Sequence, residues 1–145
     1  MQSATTSTPL GNRILKVDHA GEHGAISVYR AQRWIARWRS PSMVPELNEF
    51  LTHERRHRDL FAAEMGRRDV PRCRSFHLCG IGGSALGLIT GLAGSKAIAA
   101  TTVAIEAVVL RHLDEQVADL MISDPAAAAT IKQIIADEHS TTIHR

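Results

Sequence analysis

The sequence predicts an all-α fold, a four-helix bundle carrying a glycine-rich apolar helical insertion. Three observations carry that expectation. Apolar residues recur at threes and fours over long stretches, and no stretch alternates convincingly with period two. No proline falls between Asn12 and about Arg39, and Pro41, Pro71 and Pro125 mark breaks between the periodic stretches. The loops are short, which favours antiparallel neighbours and an up-down bundle. The chain has 145 residues, 44% of them hydrophobic, enough for one domain with a real core and too apolar for disorder.

Each element can be justified in order. Residues 1–11 are polar, lack the apolar core of a secretory signal and lack the arginine-rich pattern of a transit peptide. They read as a short disordered arm, with the folded domain running over 12–145. A first helix is expected from Asn12 to about Arg39, with Ile14, Val17, Ala20, Ala25, Val28, Ala31, Ile35 and Trp38 on its apolar stripe. Ser40-Pro41-Ser42 ends it. A second helix from about Val44 to Met65 carries Leu47, Phe50, Leu51, Leu60, Phe61 and Met65, with Gly66 as its stop. A loop with four arginines (Arg67, Arg68, Arg72, Arg74) follows. Leu78 to Ser95 then runs for 18 residues without a charge, six of them glycine. A helix from about Ser95 to Ile122 closes at Ser123-Asp124-Pro125, where Asp124 caps and Pro125 opens the last helix.

Charge excludes little but is informative. Seventeen basic and 15 acidic residues give a net charge of +2, which offers no footprint for nucleic acid. Two cysteines, Cys73 and Cys79, are too few for a disulfide scaffold and fit a reducing compartment.

The chemistry lies in four glutamates. Helical bundles hold pairs of metal ions with one Glu from each of two helices and a Glu-x-x-His pair from each of the other two. Spacing of three puts Glu54 and His57 on one helix face. Alone, that pair is weak evidence, since a solvated i,i+3 pair reads the same. Glu22 lies in a first-helix run whose Gly21 and Gly24 each cost about 1 kcal/mol relative to alanine, so a close approach is expected there. Glu106 stands among Ala104, Ile105, Ala107, Val108 and Val109, where an unpaired carboxylate would be expensive. Glu22 and Glu54 are 32 residues apart, and so are Glu106 and Glu138. The chain reads as two half-bundles in one register. In that register Thr141 occupies the place of a second histidine. His139 is turned about 100° from Glu138 and His144 about 240°, so a swung His144 or a water is left to fill the position.

The stretches 17–25 (VDHAGEHGA), 53–57 (HERRH), the glycine-rich insertion, 104–116 (AIEAVVLRHLDEQ) and 134–139 (IIADEH) together resemble the demethoxyubiquinone hydroxylase family, in order from Ile14 to Glu138. The resemblance implies a membrane-associated, ferritin-like di-iron monooxygenase of ubiquinone biosynthesis, hydroxylating the ring of a demethoxyubiquinol-type polyprenyl quinol with dioxygen. It implies Glu22, Glu54, His57, Glu106 and Glu138 as iron ligands and His112 in electron or proton delivery. It also implies two iron ions, an external electron donor such as NADH, and a homo-oligomer or an accessory biosynthetic protein as partner. The expected place is peripheral, on the cytoplasmic face of a bacterial cell membrane or on the mitochondrial inner membrane of a eukaryote. The family's last ligand histidine falls on Thr141. Asp18 is expected to orient an iron-bound histidine.

Gly83, Gly87 and Gly91 step by four, a spacing that lets two helices pack backbone to backbone. Six glycines make residues 76–95 a poor spanning helix, so a membrane-interacting interfacial hairpin is expected, with the arginine loop at the headgroups. Gly80-x-Gly82-x-x-Ala85 matches a dinucleotide fingerprint only in letters, because no strand precedes it. His19 and His23 have zinc spacing without the rest of a zinc motif. Arg55, Arg56 and Arg58 are expected on the outer face of the second helix. An iron-storing bundle and a non-catalytic quinone-binding membrane protein stand as the alternative functions.

Overall fold

The structure is a computed structural model. It describes residues 7–143, with side chains through Ser140. Five α-helices follow in order, α1 (Pro9–Arg39), α2 (Val44–Arg67), α3 (Phe76–Ala93), α4 (Ser95–Leu120) and α5 (Pro125–Ile143), with one 3-10 turn, Pro41–Met43, between the first two. No strand occurs among the described residues.

α1 begins earlier than the sequence suggested. Thr8 accepts a hydrogen bond from the Gly11 N–H and Pro9 occupies the first turn, where a missing N–H costs nothing. The boundary expected at Gly11 therefore lies inside the helix, and residues 1–6 of the expected arm are outside the described residues. The α5 start is as expected: the Asp124 carboxylate accepts from the Ala127 N–H at 3.2 Å. That carboxylate is fully buried and does more than cap. Arg68 donates to it in a fork at 2.7 and 2.8 Å, and Thr8 donates through its N–H and its hydroxyl. The guanidinium holds the Asp124 carboxyl far below its ordinary range. One buried ion pair thus ties the start of α1, the end of α2 and the start of α5.

The core has two parts. Leu15, Phe61, Met65, Leu113, Leu120, Ala127, Ala128, Ile131 and Ile134 fill one end. Ala25, Ile26, Val28, Tyr29, Ala36, Leu47, Phe50, Leu51 and Ile98 fill the other. On α1, α2 and α4 the chain passes from one cluster to the other, and Glu22, Glu54 with His57, and Glu106 all fall at the crossing. Glu138 lies one turn past Ile134 on α5. The cluster memberships also give helix directions. α1 and α5 run one way, α2 and α4 the other.

α3 departs from the expected hairpin. It is a single helix, and the only positive φ near it is Gly94 at 109°, after its last residue. Its glycines do not make a turn because they form a seam. Side chains at Gly80, Gly83, Gly87 and Gly91 would collide with His23, with the Gly24 and Val28 carbonyls and with Ile35, in that order along α1. α3 therefore runs beside α1 in the same direction, and the helices at that seam are not antiparallel. Successive helices still reverse direction along the chain, the up-down order that short loops favour, and the close approach of two backbones makes α1 the neighbour of α3. The outer face of α3 stays exposed, with Leu78, Ile81, Ile89 and Leu92 each more than half accessible. Among the described residues α3 is the one helix long and apolar enough to cross a membrane by length and composition.

The seam sets a test of packing. Gly87→Ala would place a methyl 2.7 Å from Ala31 Cβ, overpacking that should cost about 1–3 kcal/mol. Gly82→Ala meets nothing within 4 Å and should gain a few tenths up to about 1 kcal/mol from helix propensity. Urea denaturation of the two variants should show opposite shifts from the parent protein.

Candidate metal centre

Glu22, Glu54 and His57 are buried and present ligand atoms all within 4.8 Å of one another. α1 contributes the first and α2 the pair, because i,i+3 spacing stacks Glu54 and His57 on the face of α2 that meets α1. Glu138 joins from α5, its carboxylate 3.4 Å from His57 Nδ1. Glu54 lies 3.9 Å from the same nitrogen. The other nitrogen, Nε2, faces Asp137 at 3.7 Å, and Asp137 is held in turn by Arg56 at 3.3 Å. Asp137 is thus positioned to orient His57, the role the sequence reading gave to Asp18.

Glu106 stands outside the tightest group but within its field. Tyr29 is buried, and its hydroxyl is pushed well above its ordinary pKa by burial first and then by Glu54, Glu106, Glu138 and Glu22. All four glutamates therefore act on one tyrosine that sequence reasoning did not single out. Its only sequence signal was an aromatic position one turn beyond Ala25 in the first helix.

The electrostatics describe a site that wants a cation. Burial raises the Glu22 carboxyl well above its ordinary value, and repulsion from Glu54, a hydrogen bond with Glu54, and repulsion from Glu138 and Asp18 add to it. Burial pushes the His57 pKa down in spite of Glu54 and Asp137, which keeps the imidazole neutral and able to ligate. Neither His57 ring nitrogen makes a hydrogen bond among the described residues. Clustered carboxylates beside a neutral, unsatisfied imidazole fit a divalent metal of the iron type, and a bound ion would satisfy each of them.

Asp18 and His112 border a cavity beside the cluster. Its volume is about 320 Å³, and it runs between α1, α3 and α4 past Val17, Gly21, Glu22, Leu86, Ile105 and Val109. Gly21 leaves open space there, while a side chain at Gly24 would touch the Cys79 backbone oxygen of α3 at 3.4 Å. The two mid-helix glycines thus serve a channel and a seam. Asp18 accepts a hydrogen bond from Gln116 at 3.0 Å and touches no histidine ligand; desolvation pushes its carboxyl up to about 7. Gln116, like Tyr29 and Asp137, was not picked out from sequence. His112 is exposed on the channel wall.

The remaining sequence candidates resolve as structural. His23 stacks on Phe76 at 3.9 Å and contacts Arg58, and His19 stacks on the same ring at 5.3 Å, so the pair forms no zinc site. Arg55 and Arg56 are exposed as expected, whereas Arg58 is half-buried against His23. Both cysteines are free. The Thr141 side chain and His144 lie outside the described residues.

The family model described as "Ubiquinone biosynthesis protein COQ7" matches residues 10–144. The chain belongs to the COQ7 family. A Caenorhabditis elegans relative, named NADPH-dependent 3-demethoxyubiquinone 3-hydroxylase, mitochondrial, is 25% identical over 98% of this chain and 75% of its own length. The human protein of the same name is 33% identical over 86% of this chain and 56% of its own. A Rhodospirillum rubrum relative, named 3-demethoxyubiquinol 3-hydroxylase, is 34% identical over 88% of this chain and 59% of its own. The chain thus spans little more than half the length of the human and bacterial relatives. The COQ7 match covers all four glutamates, His57 and His112.

The buried carboxylates give the metal-free protein a distinctive pH dependence. A raised carboxyl pKa means the folded state holds a proton that the unfolded state releases, so stability falls as pH rises from the unfolded to the folded value. Between the ordinary 4.5 of Glu22 and its raised value, metal-free protein should lose stability with rising pH. Asp18 adds to the same slope from 3.8 up to about 7. Glu22→Gln should flatten the curve, leaving the smaller Asp18 component. Urea midpoints of chelator-treated protein at successive pH values measure both.

Proposed function

We propose that the chain is a hydroxylase of ubiquinone biosynthesis that oxygenates the ring of a demethoxyubiquinol-type polyprenyl quinol, with two iron ions held by Glu22, Glu54, His57, Glu106 and Glu138. One observation carries the reading: Glu22 of the buried carboxylate–imidazole cluster also lines a mostly apolar channel, whose other polar side chains are Asp18 and His112. Bound iron would supply the activation of dioxygen, using electrons from an external reductant such as a reduced nicotinamide nucleotide.

The chain's own residues do the rest. Val17, Ala25, Val28, Ile105, Val109 and Leu113 give the ring and the first prenyl units an apolar, water-poor bed. Leu86 brings α3 to the edge of that bed, so a lipid-borne substrate enters from the membrane side without crossing water. Glu22 faces the ring position next to the metal centre. Asp18, with a carboxyl near half-ionised at neutral pH, is placed to accept a proton from a phenolic hydroxyl, and Gln116 fixes its orientation. His112 links the channel wall to solvent, the path along which protons and electrons reach the site. The protein is peripheral on the membrane, on the cytoplasmic face in a bacterium or the inner membrane of a mitochondrion. The ferritin-like arrangement of the four main helices belongs to the same reading, with α3 as the crossover between α2 and α4. Self-association or an accessory biosynthetic protein completes the set of expected partners.

Purified protein reconstituted with ferrous iron and given reduced nicotinamide, dioxygen and a short-tailed demethoxyquinol analogue should yield the hydroxylated product. Glu54→Ala and His57→Ala should lose iron and reduce turnover at least about 100-fold, with unchanged helical circular dichroism. Iron uptake without product would favour storage, and membrane binding without iron a non-catalytic quinone-binding role.

Position 141 adds a separate expectation. Thr141 follows Glu138 by one helical turn, and a threonine hydroxyl is a poor neutral ligand for iron. The second ion should bind more weakly than the first. Thr141→His should raise bound iron towards two per chain, measured by metal analysis after desalting. Two tightly held irons in the parent protein, unaffected by the change, would mean that another residue completes the site.

A further inference from the structure

The outer side of α1 carries a second, unrelated cavity. Arg30, Arg33 and Arg37 recur at threes and fours, so their side chains share one face of α1, turned away from the channel. With Ser27, Trp34 and, across the cleft, Ser84 and Leu88 of α3, they line a groove of about 480 Å³. Among the described residues no carboxylate pairs with any of the three arginines; Arg33 donates only to the neutral Asn48 side chain, at 3.0 Å. Three guanidinium groups held this close repel one another, and the Arg33 pKa is lowered by desolvation and then by Arg37, Arg55 and Arg30. A groove that keeps unneutralised arginines together is built for an anion.

Its surroundings say which anion. Around α3, Ser84 and Leu88 at the groove are followed by Ile81, Leu92, Leu78 and Ile89, and then by Leu86 at the quinol channel, by helical spacing of about 100° per residue. The exposed apolar face of α3 therefore stretches from the arginine groove on one side to the channel on the other. Trp34 and Trp38, both more than half exposed and in edge contact at 5.0 Å, stand beside the groove, as aromatic residues do at a membrane–water boundary. A free phosphate would need the arginines but not the apolar border or the tryptophans. Only an amphiphile uses all three.

We infer that the Arg30–Arg33–Arg37 groove binds the phosphate headgroup of an anionic phospholipid and thereby fixes how the protein lies on its membrane. The inference rests on the peripheral membrane reading of α3 given above and deepens it. With a headgroup in the groove and the apolar face of α3 against the acyl chains, the channel mouth at Leu86 is turned towards the bilayer that carries the quinol. The arginine loop 67–74 is not needed for this contact.

Vesicle sedimentation of the full chain tests the groove. The probes are vesicles of phosphatidylcholine alone and of phosphatidylcholine mixed with phosphatidylglycerol. The parent protein should bind both and prefer the anionic mixture, by about 10- to 100-fold for three arginines, with the preference shrinking in high salt. The variant Arg30→Gln/Arg33→Gln/Arg37→Gln should lose that preference while keeping its affinity for neutral vesicles. A charge-matched control, Arg13→Gln/Lys16→Gln/Lys132→Gln, should keep it. In a Trp38→Phe background, Trp34 emission should shift to the blue on anionic vesicles. An unchanged preference in the groove variant, or an equal loss in the control, overturns the proposal and leaves the membrane reading standing. Failure of the parent protein to bind either vesicle overturns the membrane reading and the groove with it.

Discussion

The constraint on which the rest of this structure depends is the burial of several carboxylates at one level of an apolar bundle. Glu22 and Glu54 share a hydrogen bond in a region where Glu138 and Glu106 also act. Such a layer is stable only if the acids hold protons or face cations. Everything around it accommodates that demand. Two apolar clusters flank the layer and supply most of the folding energy. The Arg68–Asp124 pair secures the ends of three helices well away from the acids, so strain at the site need not unravel the bundle. The layer is thus a functional cost carried by a scaffold built independently of it.

The glycine seam connects this site to an exposed apolar helix face. A helix with ordinary side chains on both faces would either bury itself in the core or stand away from it. α3 presents glycines to α1 and large apolar residues outward. Close backbone contact anchors it firmly without consuming its apolar face. The same helix then borders the channel through Leu86 and the arginine groove through Ser84 and Leu88. One helix thus carries both an exposed apolar face and a wall of the channel that Glu22 lines.

Much of this was legible in the sequence. Most helix limits followed from period and proline placement, and the Asp124 cap and a close helix approach at the stepped glycines followed from local chemistry. Glu22, Glu54 and His57 came together because i,i+3 spacing and a repeated 32-residue interval encode geometry directly. What escaped depended on contacts between distant segments. Asp137 beside His57, Gln116 beside Asp18, and Tyr29 amid the glutamates have no local pattern that marks them. The hairpin expected in residues 76–95 failed because its six glycines were weighed against one long helix, whereas Gly80, Gly83, Gly87 and Gly91 support that helix by packing on α1. On α1, Trp38 matched the apolar period yet faces outward, while Leu15, Ile26 and Ala36 took the core. A helix contacting partners on several sides has no single stripe for a periodicity to find.

The most direct measurement is an iron-edge anomalous difference map from crystals soaked anaerobically in ferrous ion. Two peaks about 4 Å apart, one against Glu22, Glu54 and His57 and the other towards Glu106 and Glu138, are the expected result. Peaks elsewhere on the molecule, or none at saturating iron, would contradict the reading of the carboxylate layer as a two-metal site.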